Sequence, residues 1–317
     1  MDRRTFVRLA ISLAALGTAV PRALAQGAGQ TFFGGHDLPL GLQLYTLGPD
    51  LDADFAGTLA EVGRIGYRIV ELAELHGRTA AEIRIALDAA RLTCSSMHIA
   101  RNGPAPALSL SGDLGELARI AHAIGVTDVV MPDTLPLGDA APASGAQRLD
   151  TSEAARRALT MDDYRRTADF LSAKARSLRA EGLRLSYHNH NFEFAPLAGG
   201  TAGLDVLLRE TDAQVSFELD VGWVAAAGQD PVALLKAHPH RFTQMHVKDL
   251  KASTKPNFAM HLDPTEVGWG SVDWKQVLPA AYAAGVRRFY VEQEPPFGMA
   301  RTQSIARSYR YLAALRA

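Results

Sequence analysis

Four short apolar runs in the C-terminal half of the chain end in residues that bind metals or move protons. They are Tyr187-His188-Asn189-His190, Phe217-Glu218-Leu219-Asp220, Met245-His246-Val247-Lys248-Asp249 and Val291-Glu292-Gln293-Glu294. Carboxylate oxygens and imidazole nitrogens meeting at one point suit a divalent ion such as manganese, zinc, iron or cobalt. Such an ion binds adjacent hydroxyl and carbonyl oxygens of a small polar substrate and acidifies the neighbouring C–H. His188 and His190 lie two residues apart, so in a strand they share a face, and only one of them needs to be a ligand. Each residue alone has an ordinary explanation. A strand-end Asp caps the next helix, a lone His is hydrogen-bonded in a core, and Lys248 pairs with its neighbour Asp249. The stronger signal is that four consecutive runs end this way.

These side chains meet only if the runs are neighbouring strands of one parallel sheet. The sequence is consistent with that. Strands are expected at 38–45, 68–72, 93–99, 126–131, 184–190, 215–220, 242–248 and 288–292. Helices are expected at 53–65, 80–91, 114–124, 162–181, 203–210, 231–237, 274–284 and 303–316. Strand–helix alternation implies a parallel sheet, and eight units imply closure into a barrel whose C-terminal strand ends share one face. An open, doubly wound sheet is the alternative. Gly66, Gly125, Gly182 and Gly285 stand where helices must stop and turn into strands. The long segments Pro132 to Thr160 and Leu250 to Ser271 follow strands and are expected to cover the site.

The N-terminus reads as an address. Arg3-Arg4, an apolar stretch from Leu9 to Val20 and Ala23-Leu24-Ala25 make a twin-arginine signal over residues 1–25. The apolar stretch is too short and interrupted to span a membrane comfortably. A periplasmic protein handled by the twin-arginine export machinery is therefore expected. A mobile lead-in follows at 26–37, then one barrel domain at 38–317. The 33 Lys and Arg balance 34 Asp and Glu for a net charge of −1, so a nucleic-acid partner is not expected. The only cysteine, Cys94, lies in a strand-like run and reads as a core residue. Oligomeric state is left open, a homo-oligomer included.

The whole pattern from Leu38 to Ala317 resembles the sugar phosphate isomerase/epimerase branch of the xylose isomerase-like barrels, an α/β (β/α)8 TIM-barrel fold. The residues that carry the likeness are Gln43 to Tyr45, Gly66 to Leu72, Ser96-Met97-His98, Tyr187 to Phe194, Leu219 to Trp223, His246 to Asp249 and Glu292 to Pro295. The resemblance implies one divalent ion, manganese favoured over zinc, cobalt, iron or magnesium. Asp220, His246 and Glu292 match its metal ligands. Where relatives carry a fifth-strand Glu, this chain has His188, which takes the ligand position. That Glu also serves relatives as an acid/base group, so Glu193 is the leading replacement, with His190, Glu292 and Lys248 as further catalytic residues. Glu71, His98, Trp223 and Glu294 are expected at the substrate, core packing being an equal reading for Trp223. Glu218 is expected to face the helices.

The resemblance implies a metal-dependent isomerase or epimerase working through an enediolate on a carbohydrate. No phosphate-binding signature is evident, so an unphosphorylated keto-sugar, glycoside or cyclitol is expected. A lyase, dehydratase or 3-keto-glycoside hydrolase is the alternative that the missing Glu favours. A non-catalytic sugar-binding protein is a second alternative, and a nuclease the least consistent with the charge.

Overall fold

Helix stops dictate much of the chain path. Gly125 and Gly285 sit in the left-handed region at helix C-caps (φ 98° and 109°), where a residue without Cβ turns the chain into the next strand at no steric cost. The computed structural model describes residues 30–103, 108–132 and 154–317. In it the strands Leu40–Gln43, Ile69–Leu72, Thr93–His98, Asp128–Met131, Arg184–His188, Val215–Asp220, Phe242–Val247 and Arg288–Val291 close into a parallel barrel. They follow chain order around it, the last pairing with the first. The main surrounding helices are Phe55–Ile65, Ala80–Ala90, Leu114–Ile124, Met161–Ala180, Gly203–Glu210, Pro231–Ala237, Trp274–Ala284 and Arg301–Ala314. The sequence-based barrel is thus the observed one.

Between strands and helices runs an apolar layer that includes Leu59, Val70, Leu87, Leu117, Val129, Leu171, Leu185, Phe217, Leu219, Leu278 and Leu312. The barrel interior is different. Gln43, Glu71, Ser96, Glu218, Gln244 and His246 are all fully buried. Many of their polar atoms pair with one another: Gln43 Nε2 donates to Glu71 Oε1 at 2.7 Å, Ser96 Oγ to Glu71, and Gln244 Nε2 to Ser96 Oγ at 3.3 Å. A buried polar layer persists only if paired in this way. Near the N-terminal ends of the strands, buried Asp128 takes two hydrogen bonds from Arg184 (2.7 and 2.8 Å) and one from Arg288, joining three strands.

One expectation needs correction here. The lead-in is not a tether as far as residue 37. Thr31 caps a short helix, Phe32–Gly35, and both Phe32 and Phe33 are buried against Phe289, with ring centroids 6.0 and 5.6 Å away. Adjacent aromatic rings have too much apolar area to leave in water. Residues 1–29, with the expected signal, lie outside the described residues, as does most of the 132–160 segment. Among the described residues no helix is long and apolar enough to cross a membrane.

Candidate metal centre

Register sets the site. The sixth strand aligns Glu218 with His188 on the fifth and Asp220 with His246 on the seventh. Glu292 directly follows the eighth strand, its N–H bonded to Val247 O at 3.3 Å. Asp220, His246 and Glu292 consequently offer three ligand atoms within 4.8 Å of one another. His246 Nδ1 lies 2.8 Å from Glu292 Oε2 and 3.7 Å from Asp220 Oδ2, and His188 Nε2 lies 3.8 Å from Asp220 Oδ2.

Asp220 divides its labour. Oδ1 accepts the Trp223 N–H at 2.9 Å and caps the short helix Val221–Ala226, while Oδ2 faces the site. Asp220 Oδ2, His246 Nδ1 and Glu292 Oε2 are buried and face one another and the Lys248 ammonium. Two carboxylates with two imidazoles form a donor set that fits a divalent ion.

An ammonium shares the seat. Lys248 Nζ is 2.7 Å from Asp220 Oδ2, 2.8 Å from Glu292 Oε2 and 2.8 Å from Glu294 Oε1. Burial alone would lower its pKa, but Asp220, Glu292 and Glu294 hold it well above the usual value. For Asp220 and Glu292, burial opposes ionisation, but Lys248, His246 and His188 together overcome it, so both are depressed. Glu294, a quarter exposed, is instead raised, by burial and by Glu292. Lys248 does not pair with Asp249. That carboxylate accepts N–H groups of Gly268, Gly270, Val272 and the Trp274 indole, tying down the loop after the seventh strand.

A second cluster lies beside this one, deeper in the barrel. Glu218 Oε2 is 3.0 Å from His98 Nε2, 3.2 Å from His188 Nδ1 and 3.1 Å from His246 Nε2. Glu71 Oε1 is 2.7 Å from His246 Nε2 and 3.1 Å from His98 Nε2. The expectation that Glu218 faces the helices is therefore wrong. Two residues separate it from Asp220, and a strand returns to the same face after two. Burial would keep His98 neutral, but Glu71 and Glu218 push its pKa up to about 10. Burial dominates at His188 and holds it below the ordinary value. Glu71 and His98 lie together at this cluster, Glu71 fully buried and His98 partly exposed.

Other expected residues fall outside the cluster. Glu193 is buried behind the fifth strand, accepting the Tyr187 hydroxyl at 2.6 Å and the His190 N–H at 2.8 Å. Tyr187 alternates with His188 and so faces the helix layer, which places Glu193 on the wrong side of the wall for acid/base work. Trp223 is buried with Ala226 and Leu250, its ring centroid 5.1 Å from Lys248 Nζ and 5.7 Å from the His190 ring, so it packs as a wall beside the site. His190 lies at the margin of the site, 4.8 Å from the His188 ring by centroids, with its Nδ1 unpartnered. Burial, then the charges of His188 and Lys248, hold its pKa well down. Tyr45 was not anticipated as a site residue. It is half-exposed at the end of the first strand, within electrostatic reach of Glu294 and Glu292.

Comparison with known proteins adds relatives. An inosose dehydratase of Geobacillus thermodenitrificans (strain NG80-2) is 28% identical over 151 residues, 43% of this chain and 47% of that protein. The aligned stretch thus spans under half of that curated relative. A crystal structure of a sugar phosphate isomerase/epimerase from Parabacteroides distasonis ATCC 8503 superposes with a TM-score of 0.67 at 24% identity, covering 87% of this chain and 94% of that one. The crystal structure of the IOLI protein with a zinc atom bound gives a TM-score of 0.60 at 13% identity, covering 87% and 98%. At such identities the structural likeness speaks for the fold alone. The family described as xylose isomerase-like TIM barrel matches residues 59–315, and the chain belongs to that family.

Proposed function

We propose that this protein is a metal-dependent enzyme that removes a proton next to the carbonyl of an unphosphorylated keto-sugar or keto-cyclitol and then expels a β-hydroxyl as water. The observation that carries this reading is the convergence of Asp220, His246 and Glu292 on one buried point. A divalent ion held there by these residues and His188 would polarise the substrate carbonyl and acidify the adjacent C–H. His190, kept neutral, accepts that proton at Nδ1. Lys248 offers positive charge to the oxygen that gains electron density. Glu294, whose carboxyl is pushed up by burial and by Glu292, stands beside Lys248 as the acid for the departing hydroxyl. The proton removed and the hydroxyl lost account for one water.

Elimination is preferred to epimerisation because epimerisation needs a second acid/base group on the opposite face of the substrate. Glu193 does not reach the site, Glu292 is held by His246 and Lys248, and Glu294 serves the leaving hydroxyl. The name of the inosose dehydratase relative agrees with this preference. Isomerase or epimerase chemistry is the second reading, favoured by the sugar phosphate isomerase/epimerase neighbour. A periplasmic location, reached through the twin-arginine machinery, belongs to the same proposal and rests on Arg3-Arg4 and Ala23-Leu24-Ala25. The test is a panel of keto-cyclitols and 3-keto-sugars with zinc- or manganese-loaded protein, followed by mass spectrometry and NMR. Loss of one water supports the proposal. An isomeric sugar of unchanged mass would replace it with the second reading, and binding without any product would refute both.

A further inference from the structure

In this chain an imidazole, His188, stands at the fifth strand end, and a carboxylate sits behind it. His188 and Glu218 are direct cross-strand partners. Both are buried, and His188 Nδ1 meets Glu218 Oε2 at 3.2 Å. A carboxylate only accepts, so Nδ1 carries the hydrogen and the lone pair falls on Nε2. That Nε2 is the nitrogen turned toward Asp220 Oδ2, at 3.8 Å. His246 is set the opposite way round. Its Nε2 lies against Glu71 and Glu218, and its Nδ1 faces the Asp220 and Glu292 oxygens that would share the ion, at 3.7 and 2.8 Å.

We propose that Glu218 is a positioning residue that fixes His188 as an Nε2 metal ligand, giving this site two imidazoles where a carboxylate would otherwise stand, and with them a preference for zinc-class ions over magnesium. The inference rests on the reading that Asp220, His246 and Glu292 hold an ion. A hydrogen-bonded carboxylate behind a ligating histidine fixes its ring and raises its basicity. Imidazole nitrogen suits zinc, iron and cobalt, whereas magnesium favours oxygen. An ion could instead be imagined among His98 Nε2, His188 Nδ1, Glu218 and His246 Nε2, which also cluster. Those nitrogens, however, all lie within hydrogen-bond distance of Glu218 or Glu71 and are spent as N–H donors.

The experiment uses the full chain labelled with nitrogen-15 in histidine and loaded with zinc. Long-range proton–nitrogen correlation spectra report which nitrogen of each ring is metal-bound and which carries hydrogen. The expected pattern is Nε2 bound and Nδ1 protonated for His188, and the reverse for His246. Glu218→Gln offers one carbonyl oxygen in place of two carboxylate oxygens. It should weaken zinc binding 10- to 100-fold by calorimetry. It should also disturb the His188 pattern while Glu71 keeps that of His246, a split that a general loss of packing would not produce. Zinc should bind the wild-type protein at least 100-fold tighter than magnesium, and His188→Glu combined with Glu218→Gln should narrow that gap. Zinc on His188 Nδ1, His188 signals unmoved by zinc, or an unchanged zinc Kd in Glu218→Gln would overturn the inference and leave the metal site standing. No zinc binding by the wild type would overturn both. The wild-type spectrum decides the matter even if the variant fails to fold.

Discussion

Replacing Lys248 by Met should make the metal-free protein weaker and its grip on metal tighter. The ammonium lies within 2.8 Å of three carboxylates, those of Asp220, Glu292 and Glu294, in a buried setting. Met keeps the length of the chain and removes the charge. Breaking a buried pair by removing one partner costs about 3–5 kcal/mol, because the other charge is left uncompensated. At roughly 2–4 °C per kcal/mol for a domain of this size class, Tm should fall by about 10 °C. The effect on metal runs the other way. Two unit charges 4 Å apart interact by about 4 kcal/mol at an effective dielectric of 20, and a divalent ion doubles that repulsion from the ammonium. If relaxation of the Lys248 side chain removes three quarters of it, about 2 kcal/mol remains, more than tenfold in Kd. Thermal unfolding with and without zinc, together with titration calorimetry, reads both quantities. A metal-free variant as stable as the wild type, or a variant that binds zinc more weakly, would refute the idea that ammonium and ion compete for the same oxygens.

Three further outcomes are expected. Burial pushes the Glu193 carboxyl up from 4.5 to about 7, so the folded state holds its proton longer than the unfolded chain; stability is full below about pH 4.5 and roughly 3 kcal/mol is lost as pH rises to 7. Glu193→Gln should lack that slope in urea unfolding at pH 5 and pH 8, and an unchanged pH dependence would show that Glu193 ionises normally. Cys94, fully buried with its thiol pushed up to about 12, should resist iodoacetamide at pH 8 in the native state and react after unfolding, as mass spectrometry would show. Replacing Arg3 and Arg4 by Lys should retain the protein in the cytoplasm; normal periplasmic accumulation in cell fractionation would refute the export reading.

The barrel was legible because its signals are local. Glycines such as Gly125 and Gly285 mark helix stops, and short apolar runs alternate with amphipathic stretches. The site was legible only in part, for physical reasons that differ by residue. Strand-end position was enough to bring Asp220, His246 and Glu292 together. Glu218 was misplaced although the period-2 rule was available, since it shares the parity of Asp220. Glu193 and Trp223 follow strand ends in irregular or newly helical chain, Phe192–Phe194 and Val221–Ala226, where strand parity no longer says which way a side chain turns. The link from Lys248 to three carboxylates, and the role of Asp249 in holding a loop, depend on side-chain reach between strands. No spacing within the sequence encodes that.

The central claim is proton abstraction beside a carbonyl at the Asp220–His246–Glu292 centre, and deuterium exchange tests it most directly. The protein, stripped of metal and then reloaded, is incubated in deuterated water with a keto-cyclitol or 3-keto-sugar and followed by proton NMR. The account predicts deuterium at the carbon next to the carbonyl, or in the product derived from it. That exchange should disappear on chelation, return with zinc or manganese, and be lost in Asp220→Asn. A substrate that binds and turns over with its α-hydrogen retained, or exchange indifferent to chelation, would contradict it.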